Sequence, residues 1–164
     1  MSWLRAPADA AWRLVYRLVY RPRRLVWRWL GLERGGVCVA VRSADALLLV
    51  RHSYRPRLDF PGGGLERGEE PETCARRELR EELGLEVPPA ALIGLGRLRS
   101  AHGGPGVRNH LFEWRVERIP EVRIDRRELV WAGPVQPKAV PKADRALAVR
   151  WYLRRHAPDL DRPG

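Results

Sequence analysis

The stretch RELREELGL, Arg77 to Leu85, decides how this chain is read. It spaces Glu78, Glu81 and Glu82 so that a helix carries all three carboxylates on one face. Like charges at such spacing repel by a few tenths of a kcal/mol per pair, and by more when shielded from water. A helix gains nothing from gathering them unless something positive sits between them. The flanks support a helix over Pro71 to Leu83: Pro71 suits its first position, Glu72 the positive end of its dipole, and Gly84 a left-handed stop. Ala75 and Leu79, one turn apart, are its expected buried residues.

Upstream, PRLDFPGGGLERGEEP reads as a loop, with Gly62, Gly63 and Gly64 allowing backbone to approach a ligand closely. Before it, GGVCVAV and ALLLVRH read as two strands joined by a hairpin at Ser43, Ala44 and Asp45. Downstream, LIGLGRLRS, NHLFEWRVE and RELVWAG read as strands, and KADRALAVRWYLRRH as a closing helix. There is no internal repeat. The order β-β-loop-α-β-β-β-α predicts an α+β fold, an α/β/α sandwich around a mixed β-sheet.

A chain of 164 residues, 45% hydrophobic, is long enough for one domain with a sizeable core and too short for two ordinary ones. We expect an N-terminal extension over 1–31, a domain over 32–156 and a tail over 157–164. The net charge of +11 suggests nucleic acid until its distribution is considered. Residues 1–31 carry seven Arg against Asp9, and residues 138–155 carry six Lys or Arg against Asp144, which leaves the rest of the chain neutral. The segment with the carboxylates is therefore balanced, and no stable nucleic-acid partner is expected. Cys38 and Cys74, in a buried strand and in the acidic helix, make no disulfide framework and point to a reducing, cytoplasmic setting.

In the extension, Arg13, Arg17, Arg21, Arg24 and Arg28 draw a basic stripe along an amphipathic helix that Pro22 should kink. Trp12, Val15, Tyr16, Val19 and Tyr20 cover much of the rest. The expectation is a helix packed on its own domain, with peripheral contact to anionic membranes as the competing reading and a transit peptide third. No apolar run is long enough to span a bilayer, and Arg interrupts any signal-peptide core.

Gly63, five residues, Glu69, seven residues, then Arg77-Glu78-Leu79-any-Glu81-Glu82-any-Gly84-Leu85 matches the signature box of the Nudix hydrolases position by position. The chain resembles that family from about Gly35 to His156. The resemblance implies a sandwich of the family's type and an enzyme that cleaves a diphosphate linkage in a nucleoside diphosphate derivative or nucleoside triphosphate. It implies Mg²⁺, or Mn²⁺, as cofactor. Glu78, Glu81 and Glu82 match the family's metal ligands, one of which, or a later acid, assists deprotonation of water. Glu69 matches a supporting metal contact, Arg77 the arginine that orients the glutamates by ion pairing, and Gly63 a glycine whose carbonyl can join the metal shell. The chemistry explains the opening repulsion, because a hard divalent ion takes carboxylate oxygens while leaving positions for water and phosphate.

Glu128 lies where many members of the family carry a further acid facing the metal, and it is weighed evenly against an ordinary strand-end charge. Arg51 and Arg55 flank the loop and are expected to be solvated or ion-paired rather than bound to phosphate. His110, Phe112 and Trp114 alternate on one strand face and are read as core before base-stacking. His102 reads as a surface histidine. Markers of the ADP-ribose and dinucleoside-polyphosphate subfamilies are absent at Ser100 to Gly103, so the substrate stays open. Two other classes stand beside the enzyme: a binding module that kept the fold without turnover, and a membrane- or RNA-associated protein acting through its basic ends. Turnover separates the first and salt-dependent binding the second.

Overall fold

The computed structural model describes residues 35–53, 55–88, 90–99, 108–124 and 128–161. The helix expected within 1–31, His102 and the subfamily-marker positions lie outside the described residues. Five strands form one mixed sheet: β1 (Val37–Arg42), β2 (Leu47–His52), β3 (Ile93–Arg99), β4 (Arg108–Arg115) and β5 (Leu129–Val135), in the order β3-β4-β1-β2-β5. β1 runs parallel to β4, and the other neighbours are antiparallel. Helix α1 (Pro71–Leu83) covers one face and helix α2 (Leu147–Arg155) the other.

Period-two alternation assigns the faces. Val37, Val39, Val41, Leu48, Val50 and Phe112 pack with Cys74, Ala75, Leu79 and Leu83 of α1. Cys38, Ala40, Leu47, Leu49 and Leu111 pack with Ala148, Val149, Tyr152 and Leu153 of α2. Strands buried on both sides must be apolar throughout, which is why VCVAV and LLLV read as continuous runs. The expected aromatic row is largely core: Phe112 is buried, Trp114 packs against that cluster, and His110 is half-buried. Both cysteines are free and buried, and burial pushes the Cys38 thiol up to about 12.

β1 and β2 pair at Arg42 and Leu47, where Ser43 and Asp45 close the hairpin through the Ser43 hydroxyl. Beyond that turn the glycine-rich loop occupies the space between them. Val50 exchanges two backbone hydrogen bonds with Asp59, and the amides of Val39 and Val37 donate to the carbonyls of Pro61 and Gly63 at 3.0 and 2.8 Å. Gly62 has φ +144, and a Cβ there would meet the Val37 carbonyl oxygen at 2.2 Å, so the loop can lie this close to β1 only with glycine at that position.

The closing helix is shorter than the sequence pattern predicts. Lys142–Asp144 forms a 3₁₀ turn and the α-helix begins at Leu147. The reason lies at Leu58, whose amide donates to the Asp144 carbonyl while its own carbonyl accepts from Ala146, an isolated bridge that holds Arg145 extended. The Arg145 side chain is buried, donating to the carbonyls of Pro137 and Val140 and pairing with Asp161. Tertiary hydrogen bonds here override helical periodicity. Past residue 156, Ala157 and Leu160 are buried in the α2-side core. Among the described residues no helix is long and apolar enough to cross a membrane.

Candidate active site

Helix α1 starts at Pro71 with Glu72 in its first turn and ends at Gly84, which adopts φ 68 and donates to the carbonyls of Arg80 and Leu79. Its apolar side is fixed on the sheet by Cys74, Ala75, Leu79 and Leu83, so its acidic side faces the glycine-rich loop. Arg77 brings a positive group to two of the three spaced glutamates, Glu78 and Glu81. Its guanidinium binds both oxygens of Glu69 at 2.8 and 3.0 Å, Glu78 at 2.8 Å and Glu81 at 3.3 Å, and donates to the Gly64 carbonyl at 3.2 Å. This fork ties the loop to the helix. The hydrogen bonds from Arg77 hold the Glu69 carboxyl down at about 2.

Glu82, one turn beyond Glu78, is only 5% exposed. One of its oxygens accepts the Gly62 amide at 3.0 Å. Burial raises its pKa well above the ordinary carboxylate value against that hydrogen bond, with smaller contributions from the charges of Glu78 and Glu128. Burial also raises Glu78, with Arg77 opposing and Glu128 and Glu81 adding to the rise. A buried carboxylate repelled by its neighbours is costly unless a cation shares the site.

Gly63 presses on this cluster directly. A Cβ added there would sit 2.4 Å from the Glu78 carboxylate, so Gly63→Ala must displace it. Misplacing a functional group by about 1 Å costs up to about 10²-fold in rate. We expect kcat of Gly63→Ala to fall on that scale while stability drops by no more than about 1–3 kcal/mol. A steady-state assay beside thermal melting checks both.

Two residues from other elements complete the neighbourhood. His52 ends β2, where the ladder to β5 shifts register between Arg51 and His52, and it faces Leu129. The next amide, Ser53, donates to the Glu128 carbonyl at 2.8 Å, holding the entry of β5 beside the end of β2. Ligand atoms of His52, Glu82 and Glu128 all lie within 4.8 Å of one another. A cation about 2.1 Å from each donor spans at most about 4.2 Å between donors, so small side-chain rotations close this set around an ion. The donors therefore fit a divalent cation.

Of the residues singled out in the sequence, Glu69, Arg77, Glu78, Glu81 and Gly63 meet in one network, and Glu82 and Glu128 meet beside it. Glu81 is the most exposed of the helix glutamates, its side chain 56% accessible. Arg51 is exposed and Arg55 pairs with Asp59 at 3.6 Å, as expected of solvated or ion-paired arginines. His52 was not singled out, because a lone histidine at a strand end carries no spacing signal. A surface depression of about 680 Å³ lined by Glu70, Thr73, Arg76, His110 and Phe112 opens at the other end of α1. It lies roughly 15 Å along the helix from Glu82, and we place no chemistry in it.

The family model of the NUDIX domain matches residues 32–162. The chain belongs to the Nudix hydrolase family. Among curated Nudix relatives, the mouse diphosphoinositol polyphosphate phosphohydrolase 3-alpha is 40% identical over 68 residues, 40% of this chain and 42% of that protein. The Bacillus subtilis (strain 168) putative 8-oxo-dGTP diphosphatase is 34% identical over 62 residues, 38% of this chain and 42% of that protein. The chain thus spans about two-fifths of the length of these relatives. The crystal structure of a MutT Nudix hydrolase from Burkholderia pseudomallei superposes with a TM-score of 0.58 at 22% identity, covering 75% of this chain and 97% of that one. The MutT protein of Methanosarcina mazei Go1 gives 0.59 at 19% identity, covering 79% and 99%. These likenesses bear out the sandwich expected from the sequence, and the Nudix box is the segment that builds α1 and its loop.

Proposed function

We propose that the chain is a divalent-cation-dependent pyrophosphohydrolase that cleaves a diphosphate linkage in a nucleoside diphosphate derivative or a nucleoside triphosphate by attack of water on phosphorus. The observation that carries this reading is the buried Glu82 carboxylate, anchored by the Gly62 amide and crowded by Glu78 and Glu128. In this reading Glu78, Glu81 and Glu82 hold Mg²⁺ or Mn²⁺, Glu69 supports them, and the Gly63 carbonyl, which already accepts the Val37 amide, has a second lone pair for the shell. A cation bound there supplies charge neutralisation on the phosphate oxygens and a more acidic water.

The chain's own residues do the remainder. Arg77 is a positioning residue: it fixes Glu69 and Glu78 against each other before substrate arrives, so their orientation costs nothing at the moment of reaction. One of the helix glutamates Glu78, Glu81 and Glu82, or Glu128, which is partly buried beside Glu82, takes the proton from water. The loop around Gly62 brings backbone to the anionic end of the substrate without a side chain in the way.

The relatives are named for activities on diphosphoinositol polyphosphates and on 8-oxo-dGTP, which sets the width of the substrate question. Both names describe small molecules with a diphosphate linkage. We assign the site to the expected domain over 32–156, with 1–31 as an extension; Ala157 and Leu160, within the expected tail over 157–164, are buried in the α2-side core. A panel of nucleoside triphosphates, nucleoside diphosphate sugars and diphosphoinositol polyphosphates, assayed with Mg²⁺ or Mn²⁺ and analysed for products, tests the reading. Release of a phosphate or pyrophosphate product from at least one class supports it, and no turnover of any would defeat it in favour of a binding module.

A further inference from the structure

We infer that His52 contributes an imidazole nitrogen to the cation held by Glu82 and Glu128, making the centre a mixed nitrogen and oxygen site that favours first-row transition dications such as Mn²⁺ over Mg²⁺. The inference rests on the cation-dependent reading above and goes beyond the glutamates of the box. Among the described residues, His52, Glu82 and Glu128 are the His, Cys, Asp or Glu side chains whose ligand atoms gather within 4.8 Å. Glu78 and Glu81, the other helix glutamates of the proposed metal set, bind Arg77 as well.

Three contacts create the juxtaposition. Pairing of β2 with β5 sets His52 opposite Leu129, the residue after Glu128. The Ser53 amide fixes the Glu128 backbone from the neighbouring strand. The Gly62 amide fixes Glu82 from the loop. His52 is 4% exposed and Glu82 is 5% exposed, so both donors have been taken from water before an ion arrives. Such a site takes a cation with little reorganisation. The donor type then sets the preference. Mg²⁺ demands near-ideal octahedral oxygen ligation and keeps its waters, whereas imidazole is a common donor to transition dications.

The test uses the full chain, stripped of metal and titrated calorimetrically with Mn²⁺ and with Mg²⁺, beside pulsed electron paramagnetic resonance of the Mn²⁺-loaded protein. We expect Mn²⁺ to bind at least about tenfold more tightly than Mg²⁺ and to show coupling to an imidazole nitrogen. His52→Gln should abolish the coupling and weaken Mn²⁺ by about tenfold or more, a loss typical of a ligand set disturbed, with Mg²⁺ shifting far less. A variant changed at the other three histidines, His102, His110 and His156, should keep the coupling, which assigns the nitrogen even if His52→Gln fails to fold. Absence of nitrogen coupling in the parent protein, or its survival in folded His52→Gln, would overturn the inference whatever the enzyme hydrolyses. Nitrogen coupling lost in His52→Gln from a protein that cleaves no diphosphate would uphold this inference and sink the hydrolase reading alone.

Discussion

Glu82→Gln is expected to abolish most turnover while leaving the domain folded, and to make the metal-free protein more stable than the parent at neutral pH. The amide keeps the shape of the carboxylate and can still accept the Gly62 amide, so the loop retains its anchor. It cannot neutralise a cation. Losing several kcal/mol of transition-state charge stabilisation corresponds to roughly three orders of magnitude in kcat. Glu78→Gln should behave similarly, with the added loss of its charge-assisted bond from Arg77. The stability effect follows from the direction of the Glu82 shift. Its folded-state pKa lies above the ordinary value of about 4.3, so its contribution is fully present below that value and is lost as pH rises through the folded pKa. Metal-free parent should therefore lose melting temperature as pH rises from about 4.3 into the neutral range, and Glu82→Gln should lose less. Near-parental turnover of folded Glu82→Gln at saturating cation would show that this carboxylate is no ligand.

The second large effect concerns the cation itself. Hydrolysis should disappear in excess chelator and return on adding Mg²⁺ or Mn²⁺, because the acidic cluster without a cation repels an anionic substrate. The same addition should raise the melting temperature, since an ion bound only by the folded state stabilises it by mass action. Activity undiminished by chelator, or a melting curve blind to both ions, would remove the cation from the account.

The sequence pattern carried far where local chemistry and tertiary demand coincide. Pro71, Glu72 and Gly84 delimit α1 because their φ preferences and the helix dipole act within a few residues. The strands were legible because both faces of the sheet are covered, which makes Val37 to Val41 and Leu47 to Val50 apolar without interruption. Glutamate spacing pointed to a positive partner, and Arg77 supplies part of it by binding Glu78 and Glu81.

What escaped depends on long-range pairing. Helical periodicity continues through Lys142 to Ala146, yet the backbone there hydrogen-bonds Leu58. Nothing within that window encodes a partner more than eighty residues away. Glu113 of β4 was not singled out, yet its side chain is buried on the α2 face, accepting the Tyr152 hydroxyl and the Arg115 guanidinium. His52 is the costliest omission. Its neighbourhood arises from β2 meeting β5 and the loop meeting α1, four segments that no sequence window contains together.

The most direct measurement is hydrolysis of the substrate panel in ¹⁸O-labelled water, with the products resolved by mass spectrometry. Cation-dependent turnover of at least one diphosphate compound is expected, with one ¹⁸O incorporated into a phosphate or pyrophosphate product and that incorporation lost in Glu82→Gln. Label on carbon rather than phosphorus, or no cleavage of any diphosphate with Mg²⁺ or Mn²⁺ present, would contradict this expectation.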